Sequence, residues 1–140
     1  MKDENCIFCK LANGDIPTEA IYEDELVKVI FDVGPATKGH ALILAKNHAA
    51  NIFELDEDTA KRVFVVAKKV ATAMKETFKC DGVNILQNNG EIAGQTVFHF
   101  HTHVIPRYEN DGVAIEWEPG KVSPEEILEM KKQLINSCKL

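Results

Sequence analysis

The sequence predicts an α+β fold, in which one long helix and a C-terminal helix accompany a mostly antiparallel sheet. Three patterns support this class: short apolar runs of strand length, one long segment with apolar residues at three- and four-residue spacing, and a helix-capping sequence near the C-terminus. The chain has 140 residues, of which 45% are apolar and 27% are charged. That composition is typical of a globular domain, so we expect residues 1–140 to form a single domain.

The first strands are predicted from three short runs. Residues 22–31 contain two strand-like runs separated by the acidic turn Glu23-Asp24-Glu25, which indicates an antiparallel pair. Residues 40–45 (HALILA) are apolar and too few for a helix, so we expect a buried strand there.

The long helix is predicted over residues 56–78. Its apolar residues repeat at helical spacing: Ala60, Val63, Phe64, Ala67, Val70, Ala71, Met74 and Phe78. Asp56 can cap the helix, and Glu57 and Asp58 place negative charge in its first turn. The sequence Cys80-Asp81-Gly82 then ends the pattern. We interpret this helix as part of the scaffold rather than of the site.

The second half adds two strands and a helix. Residues 83–86 predict a strand, residues 88–96 a polar loop, and residues 97–105 a long strand that stops at Pro106. Ser123, followed by Pro124 and Glu126, is a capping-box start to a helix. The apolar residues of that helix are Ile127, Leu128, Leu134 and Ile135.

Charge and hydropathy exclude two classes of function. The net charge is −6, which disfavours binding to the phosphate backbone of nucleic acids. No run approaches 18 apolar residues, and the N-terminal segment MKDENCIFCK lacks the apolar core of a signal peptide. We therefore expect a cytoplasmic protein that does not bind membranes.

The histidines point to the chemistry. All five lie in two short segments, and the spacing HFHTH places His99, His101 and His103 on one face of a strand. Three histidines with water could form an open zinc site for hydrolysis. Alternatively, a neutral histidine could act as a nucleophile without metal. The neighbouring loop, whose glycines and polar side chains suit phosphate oxygens, favours the second interpretation.

Residues 98–105 (FHFHTHVI) resemble the histidine triad of the HIT superfamily of nucleotide hydrolases and transferases. The segments CIFCKLANGDIP, FDVGPATKGHALILAKNH and NNGEIAGQTVFHFHTHVIPR resemble its Hint branch, in the same order. The resemblance covers about residues 5–107 and leaves residues 108–140 as an extension. Thr102 departs from the apolar pattern, but it should point away from the histidines.

The resemblance implies a HIT-like fold and a role for each catalytic histidine. His101 resembles the nucleophile that attacks the α-phosphorus and forms a nucleotidyl-histidine intermediate. His103 resembles the residue that contacts the phosphate and the leaving group, and His40 resembles a fourth histidine that supports the triad.

The resemblance also implies a nucleotide site. Asp32 resembles the acid that binds ribose hydroxyls, and the less favoured alternative is a turn residue before Gly34-Pro35. The residues that resemble the base pocket are Ile7, Phe8, Ile30, Val33 and Leu42. Asn88, Gln95 and Thr96 match phosphate-contacting positions, and the backbone N–H groups of Gly94, Gln95 and Thr96 would stabilise negative charge.

Cys6 and Cys9 form a CxxC pair near the N-terminus. With His48 and His99 they could supply the Cys2His2 ligand set of a structural zinc site. Free thiols and a redox pair are the alternatives, and zinc would make His99 a ligand rather than a catalytic group. Cys80 and Cys138 have no partner at such spacing, so we assign them no role.

The resemblance implies a homodimeric enzyme that needs no catalytic cofactor. It would hydrolyse purine nucleoside 5′-phosphoramidates or related AMP conjugates at the α-phosphate. Diadenosine polyphosphate hydrolysis is an alternative, because the Pro106-Arg107 ending of the motif also occurs in that branch. A second alternative is a regulatory module that binds AMP without turnover.

Overall fold

The computed structural model describes residues 1–138 and contains helices on both faces of a five-stranded sheet. The helices are α1 (Ile7–Asn13), α2 (Glu57–Phe78) and α3 (Pro124–Ser137), with a 3-10 turn at Glu91–Ala93. The strands are β1 (Tyr22–Glu23), β2 (Val27–Phe31), β3 (Ala41–Ala45), β4 (Gly82–Leu86) and β5 (His101–Arg107). The order across the sheet is β1-β2-β3-β5-β4, and every neighbouring pair is antiparallel. The α+β class is confirmed.

The last strand differs from the prediction of residues 97–105, since β5 starts at His101 and ends at Arg107. Before it, the N–H of Phe100 donates to the carbonyl of Ala49 in a loop, so the ladder does not extend back to Val97. At the other end, β3 pairs with β5 only as far as Val104. Pro106 therefore removes no donor that β3 needs, and the strand continues through it.

The long helix α2 covers one face of the sheet. The Asp56 side chain accepts a hydrogen bond from the N–H of Thr59 at 2.8 Å, as an N-cap residue does. Core residues of α2, including Val63, Val66 and Val70, pack against alternate residues of β2, β3 and β5. Phe64, which shares the apolar pattern, is instead 70% exposed.

The short helix α1 covers the other face and was not predicted. Its N-cap is Cys6, whose sulfur accepts a hydrogen bond from the N–H of Cys9 at 3.4 Å. Ala12 packs there with Leu42 and Leu44 from the sheet. The face of the sheet under α1 therefore carries a smaller apolar cluster than the face under α2.

The C-terminal helix α3 has the predicted capping box, with Ser123 and Glu126 bonded reciprocally. It has no buried residue. In residues 1–138, no helix is both long and apolar enough to cross a membrane.

Candidate active site

Two of the triad histidines lie on the face of the sheet under α1. His101 pairs across the ladder with Leu44, and His103 pairs with Leu42. Thr102 lies between them, buried at 4% exposure, and by strand alternation it points to the opposite face. The departure at Thr102 thus leaves the histidine row intact, as the sequence predicted.

A cavity of about 280 Å³ opens beside these histidines. The predicted site residues on its wall are Phe8, Ile30, Asp32, Val33, Leu42, Thr96, His101 and His103. Sequence reasoning missed four more wall residues, namely Leu11, Thr18, Phe31 and Val97. The cavity thus joins an apolar part, suited to a flat base, to a polar part with imidazoles and a carboxylate.

Four predicted nucleotide-binding residues do not line this cavity: Ile7, Asn88, Gly94 and Gln95. Ile7 is 48% exposed. Gln95 is buried because its side chain braces the loop: its oxygen accepts from the N–H of Gly90, and its amide donates to the carbonyls of Ala50 and Val97. Both amide hydrogens of Gln95 are engaged within the loop, and its contact with phosphate stays a prediction.

The backbone of the same loop is also partly committed. The N–H of Gly94 donates to the carbonyl of Glu91, and the N–H of Gln95 donates to that of Gly90. Both donors were expected to face phosphate, and the 3-10 turn engages them instead. Thr96, on the cavity wall, is the member of this group that the structure places beside the histidines.

The tautomer of His101 follows from one hydrogen bond. Its Nδ1 lies 2.6 Å from the carbonyl oxygen of His99. Because a carbonyl can only accept, Nδ1 must carry the hydrogen. Neutral His101 therefore has its lone pair on Nε2, which is the atom that a nucleophile requires.

His40 and His103 form a second hydrogen-bonded pair. The N–H of Ala36 donates to Nδ1 of His40 at 3.0 Å, so the hydrogen of neutral His40 is on Nε2. That Nε2 lies 2.9 Å from Nδ1 of His103 and donates to it. His103 consequently carries its own hydrogen on Nε2. The carboxylate of Asp32 lies 3.7 Å from Nε2 of His40.

Burial keeps these imidazoles neutral. It lowers the pKa of His103 to about 4, with further lowering by His101 and His40. Burial also lowers the pKa of His101 and of His40, and the charge of Asp32 opposes both shifts. At neutral pH the site therefore offers lone pairs and N–H donors rather than fixed positive charge.

The four predicted metal ligands meet beside this site. The ligand atoms of Cys6, Cys9, His48 and His99 all lie within 4.8 Å of one another. Nδ1 of His99 is 3.4 Å from both sulfurs, and Nδ1 of His48 is 3.4 Å from that of Cys9. Tetrahedral zinc with ordinary bond lengths would separate a sulfur and a nitrogen ligand by about 3.5 Å.

The surroundings of these ligands also suit zinc. Nε2 of His99 lies 2.8 Å from the carbonyl of Ala45, so it carries the hydrogen and leaves the Nδ1 lone pair facing the sulfurs. The N–H of Asp3 donates to the sulfur of Cys9. Burial lowers the pKa of His99 to about 4, which keeps its ring neutral and able to bind a metal ion. Burial also raises the pKa of the Cys9 thiol, which disfavours the thiolate unless a cation is bound. The residues present fit a structural zinc ion.

Comparison with known proteins places this geometry in a family. The family model described as "HIT domain" matches residues 13–110. The chain belongs to the HIT domain family. The resemblance found in the sequence is confirmed, and the chain is a nucleotide hydrolase of the HIT family.

Individual HIT relatives align with this chain over most of their length. A crystal structure of a HIT family protein from Bacillus anthracis superimposes with a TM-score of 0.91 at 45% identity, covering 97% of this chain and 99% of that one. The adenosine 5′-monophosphoramidase hnt1 of Schizosaccharomyces pombe is 38% identical over 96% of this chain and 99% of its own. A zinc-bound histidine triad family protein from Mycobacterium smegmatis is 34% identical, with a TM-score of 0.74, covering 96% of this chain and 98% of that one.

Proposed function

We propose that this HIT protein hydrolyses purine nucleoside 5′-phosphoramidates, or related AMP conjugates, through a nucleotidyl intermediate on His101. The observation that carries the proposal is the Nδ1 hydrogen bond of His101 to a backbone carbonyl, which leaves Nε2 as the lone-pair nitrogen. The substrate class is supported by the S. pombe relative, which is named an adenosine 5′-monophosphoramidase.

The first displacement uses His101 and His103. Nε2 of His101 attacks the α-phosphorus, a P–N bond to His101 forms, and the bond to the leaving nitrogen breaks. The leaving nitrogen takes a proton from solvent as the amine departs, and Nε2–H of the neutral His103 donates a hydrogen bond to a phosphoryl oxygen. The rings of His101 and His103 are 5.0 Å apart, so one bound phosphate can meet both. The hydrogen bond from His40 to Nδ1 of His103 keeps the hydrogen of His103 on Nε2, where it can donate to the phosphate.

The second displacement releases AMP. Water attacks the same phosphorus, the bond between phosphorus and His101 breaks, and the proton that the water loses passes to solvent, which restores the proton that the leaving nitrogen took up. His101 regains its lone pair and keeps the hydrogen on Nδ1 throughout, because that hydrogen remains bonded to the carbonyl of His99. The N–H–carbonyl bond also supports the positive charge of the nucleotidyl-imidazole.

A substrate panel tests the proposed reaction. Assayed as purified with no metal added, the wild-type chain should release AMP from adenosine 5′-phosphoramidate with a higher kcat/KM than it shows on diadenosine polyphosphates. The reverse order would favour the polyphosphate hydrolase. AMP binding without turnover of either substrate would favour the regulatory module and contradict the hydrolase proposal.

We propose that a structural zinc ion occupies the cluster of Cys6, Cys9, His48 and His99. Bound there, zinc would cross-link α1 to the loops that carry the two histidines. The zinc-bound M. smegmatis relative supports this. The thiolate ligands suit a reducing compartment, in keeping with a cytoplasmic location. Elemental analysis of protein purified without added metal should find close to one zinc per chain, and a content below about a tenth would contradict the site.

We also propose that the protein is a homodimer. Phe64 and Val65 on α2 are 70% and 47% exposed, and Ile85 on the edge strand β4 is 41% exposed. A second copy would bury this apolar face, which is costly to leave in water.

A further inference from the structure

We propose that the Cys6–Cys9–His48–His99 cluster orients the imidazole of His101, so that metal occupancy of the cluster controls the chemical step. The inference rests on the proposed function and on the structural zinc. It assigns His99 and Phe8 as positioning residues, which act on the nucleophile without taking part in bond formation.

The first connection runs through His99. Its ring is completely buried and held at both nitrogens, with Nδ1 facing the two sulfurs and Nε2 bonded to the carbonyl of Ala45. The carbonyl of the same residue accepts the hydrogen bond from Nδ1 of His101 at 2.6 Å. One residue therefore joins the metal cluster to the bond that puts the His101 lone pair on Nε2.

The second connection runs through Phe8, which lies between the two cysteines in sequence. Its ring packs edge-on against His101, with centroids 4.9 Å apart and an angle of 87°. It also packs edge-on against His99 at 6.0 Å. Because Phe8 lines the nucleotide cavity as well, its ring forms part of the wall that fixes the imidazole plane.

The rest of the molecule does not depend on the cluster in the same way. The second half of α1 is held by Ala12, which packs against the sheet, and by the bond of Lys28 to the carbonyl of Leu11. The larger core lies on the opposite face of the sheet under α2. Loss of metal should therefore release the start of α1 and the His99 ring while the fold remains.

The His40–His103 pair supplies an internal control. Its hydrogen bonds come from the N–H of Ala36 and from His40 itself, and neither belongs to the cluster. If zinc acts through His99 and Phe8, its removal should change the tautomer of His101 and leave the tautomer of His103 unchanged. A general loss of structure would change both.

The test is nitrogen NMR of the histidine rings at one fixed neutral pH, with zinc-loaded, chelator-treated and zinc-reloaded protein. The loaded and reloaded forms should show His101 as a single Nδ1–H tautomer. The metal-free form should show a mixture of tautomers for His101, with His103 still a single Nε2–H tautomer and an unchanged far-ultraviolet spectrum. Identical His101 signals with and without zinc would overturn the proposal, as would equal changes at His101 and His103.

A second experiment avoids removal of the metal and remains informative where the metal-free chain unfolds. In zinc-loaded protein, Phe8→Leu should lower kcat about 10-fold or more, since small misplacement of a reacting group is costly, with the larger share of the effect on kcat rather than KM. Phe8→Tyr should restore most of kcat, and Lys10→Ala on the same helix should match wild type. Unchanged kcat in Phe8→Leu would overturn the role of Phe8. The NMR result does not depend on turnover, so it separates a failure of this inference from a failure of the proposed reaction.

Discussion

At the scale of single residues, the state of each histidine is set by a neighbour of fixed hydrogen-bonding character. A carbonyl makes Nδ1 of His101 a donor, and a backbone N–H makes Nδ1 of His40 an acceptor. The hydrogen bond from His40 to Nδ1 of His103 fixes the tautomer of His103. The chemistry of three imidazoles is thus decided by two main-chain groups, one from His99 and one from Ala36.

Asp32 allows a test of nucleotide recognition at this scale. One carboxylate oxygen accepts from the N–H of Gly34 at 2.8 Å, which is a turn role that an amide oxygen can keep. We expect Asp32→Asn to fold normally and to raise KM about 10-fold, because hydrogen bonds to a charged acceptor are worth about 1.5–3 kcal/mol.

A substrate without ribose hydroxyls is the matched control for Asp32. Wild type and Asp32→Asn should have similar KM values for a 2′,3′-dideoxy phosphoramidate. An equal loss on both substrates would assign Asp32 to the turn alone, which is the alternative that the sequence left open.

At the scale of elements, the site depends on a close approach between the end of α2 and the start of β3. Gly39 precedes His40 with φ +93°, and a Cβ at this position would lie 2.6 Å from the Phe78 ring. Gly14 has a similar φ of +85° but no neighbour within 4 Å. Alanine substitutions at these two glycines can therefore distinguish the cost of backbone strain from the cost of steric overlap.

Gly39→Ala should lower the free energy of unfolding by about 2–4 kcal/mol, which combines the left-handed backbone with overpacking. Gly14→Ala should cost only about 1–2 kcal/mol, from the backbone alone. Urea unfolding of both variants measures the difference. Equal losses would mean that the contact of Gly39 with Phe78 is not limiting.

The sequence alone was sufficient to predict the elements whose own residues form a recognisable apolar pattern or cap. The apolar run of β3 and the periodicity and cap of α2 predicted them closely, because these signals are local. Helix α1 has only seven residues and a cysteine cap, which is not among the usual N-cap residues. The start of β5 was misplaced because the alternation of Phe98 and Phe100 extends beyond the ladder. The N–H of Phe100 donates to Ala49 in a loop, and only its carbonyl accepts from Ala45 of β3.

The candidate site likewise has some features that a local sequence pattern predicts and others that depend on tertiary contacts. Period-two alternation was enough to put His101 and His103 on one face, and the CxxC pair with two histidines was enough to name the metal cluster. The hydrogen bonds of the Gln95 side chain could not be predicted, because its partners Ala50 and Val97 lie in loops that only the folded chain brings together. The tautomers depend on backbone groups, which no side-chain pattern reveals.

At the scale of the whole molecule, the two faces of the sheet have separate tasks. The face under α2 carries the larger core, and the face under α1 carries the histidines, the cavity and the metal ligands. Substitutions on the exposed side of α2 should therefore affect assembly before they affect chemistry.

The proposed dimer is tested by Phe64→Asp. A charge on this 70% exposed apolar side chain should convert the dimer to a monomer, because burial of an unpaired carboxylate in the interface is costly. Light scattering measures the mass, and Lys38→Asp, at an exposed position in the loop before β3, serves as a charge control outside α2. A monomeric wild type, or a dimeric Phe64→Asp, would contradict the proposed interface.

The central claim is that Nε2 of His101 forms a covalent bond to the α-phosphorus. The most direct test is to quench the protein without acid during turnover of adenosine 5′-phosphoramidate and to measure its intact mass. The account predicts a fraction of wild-type chains heavier by one AMP moiety, and neither this species nor more than about 1% of wild-type turnover in folded His101→Ala. Full turnover by His101→Ala would contradict the account, since the reaction would then proceed without the nucleophile on which it rests.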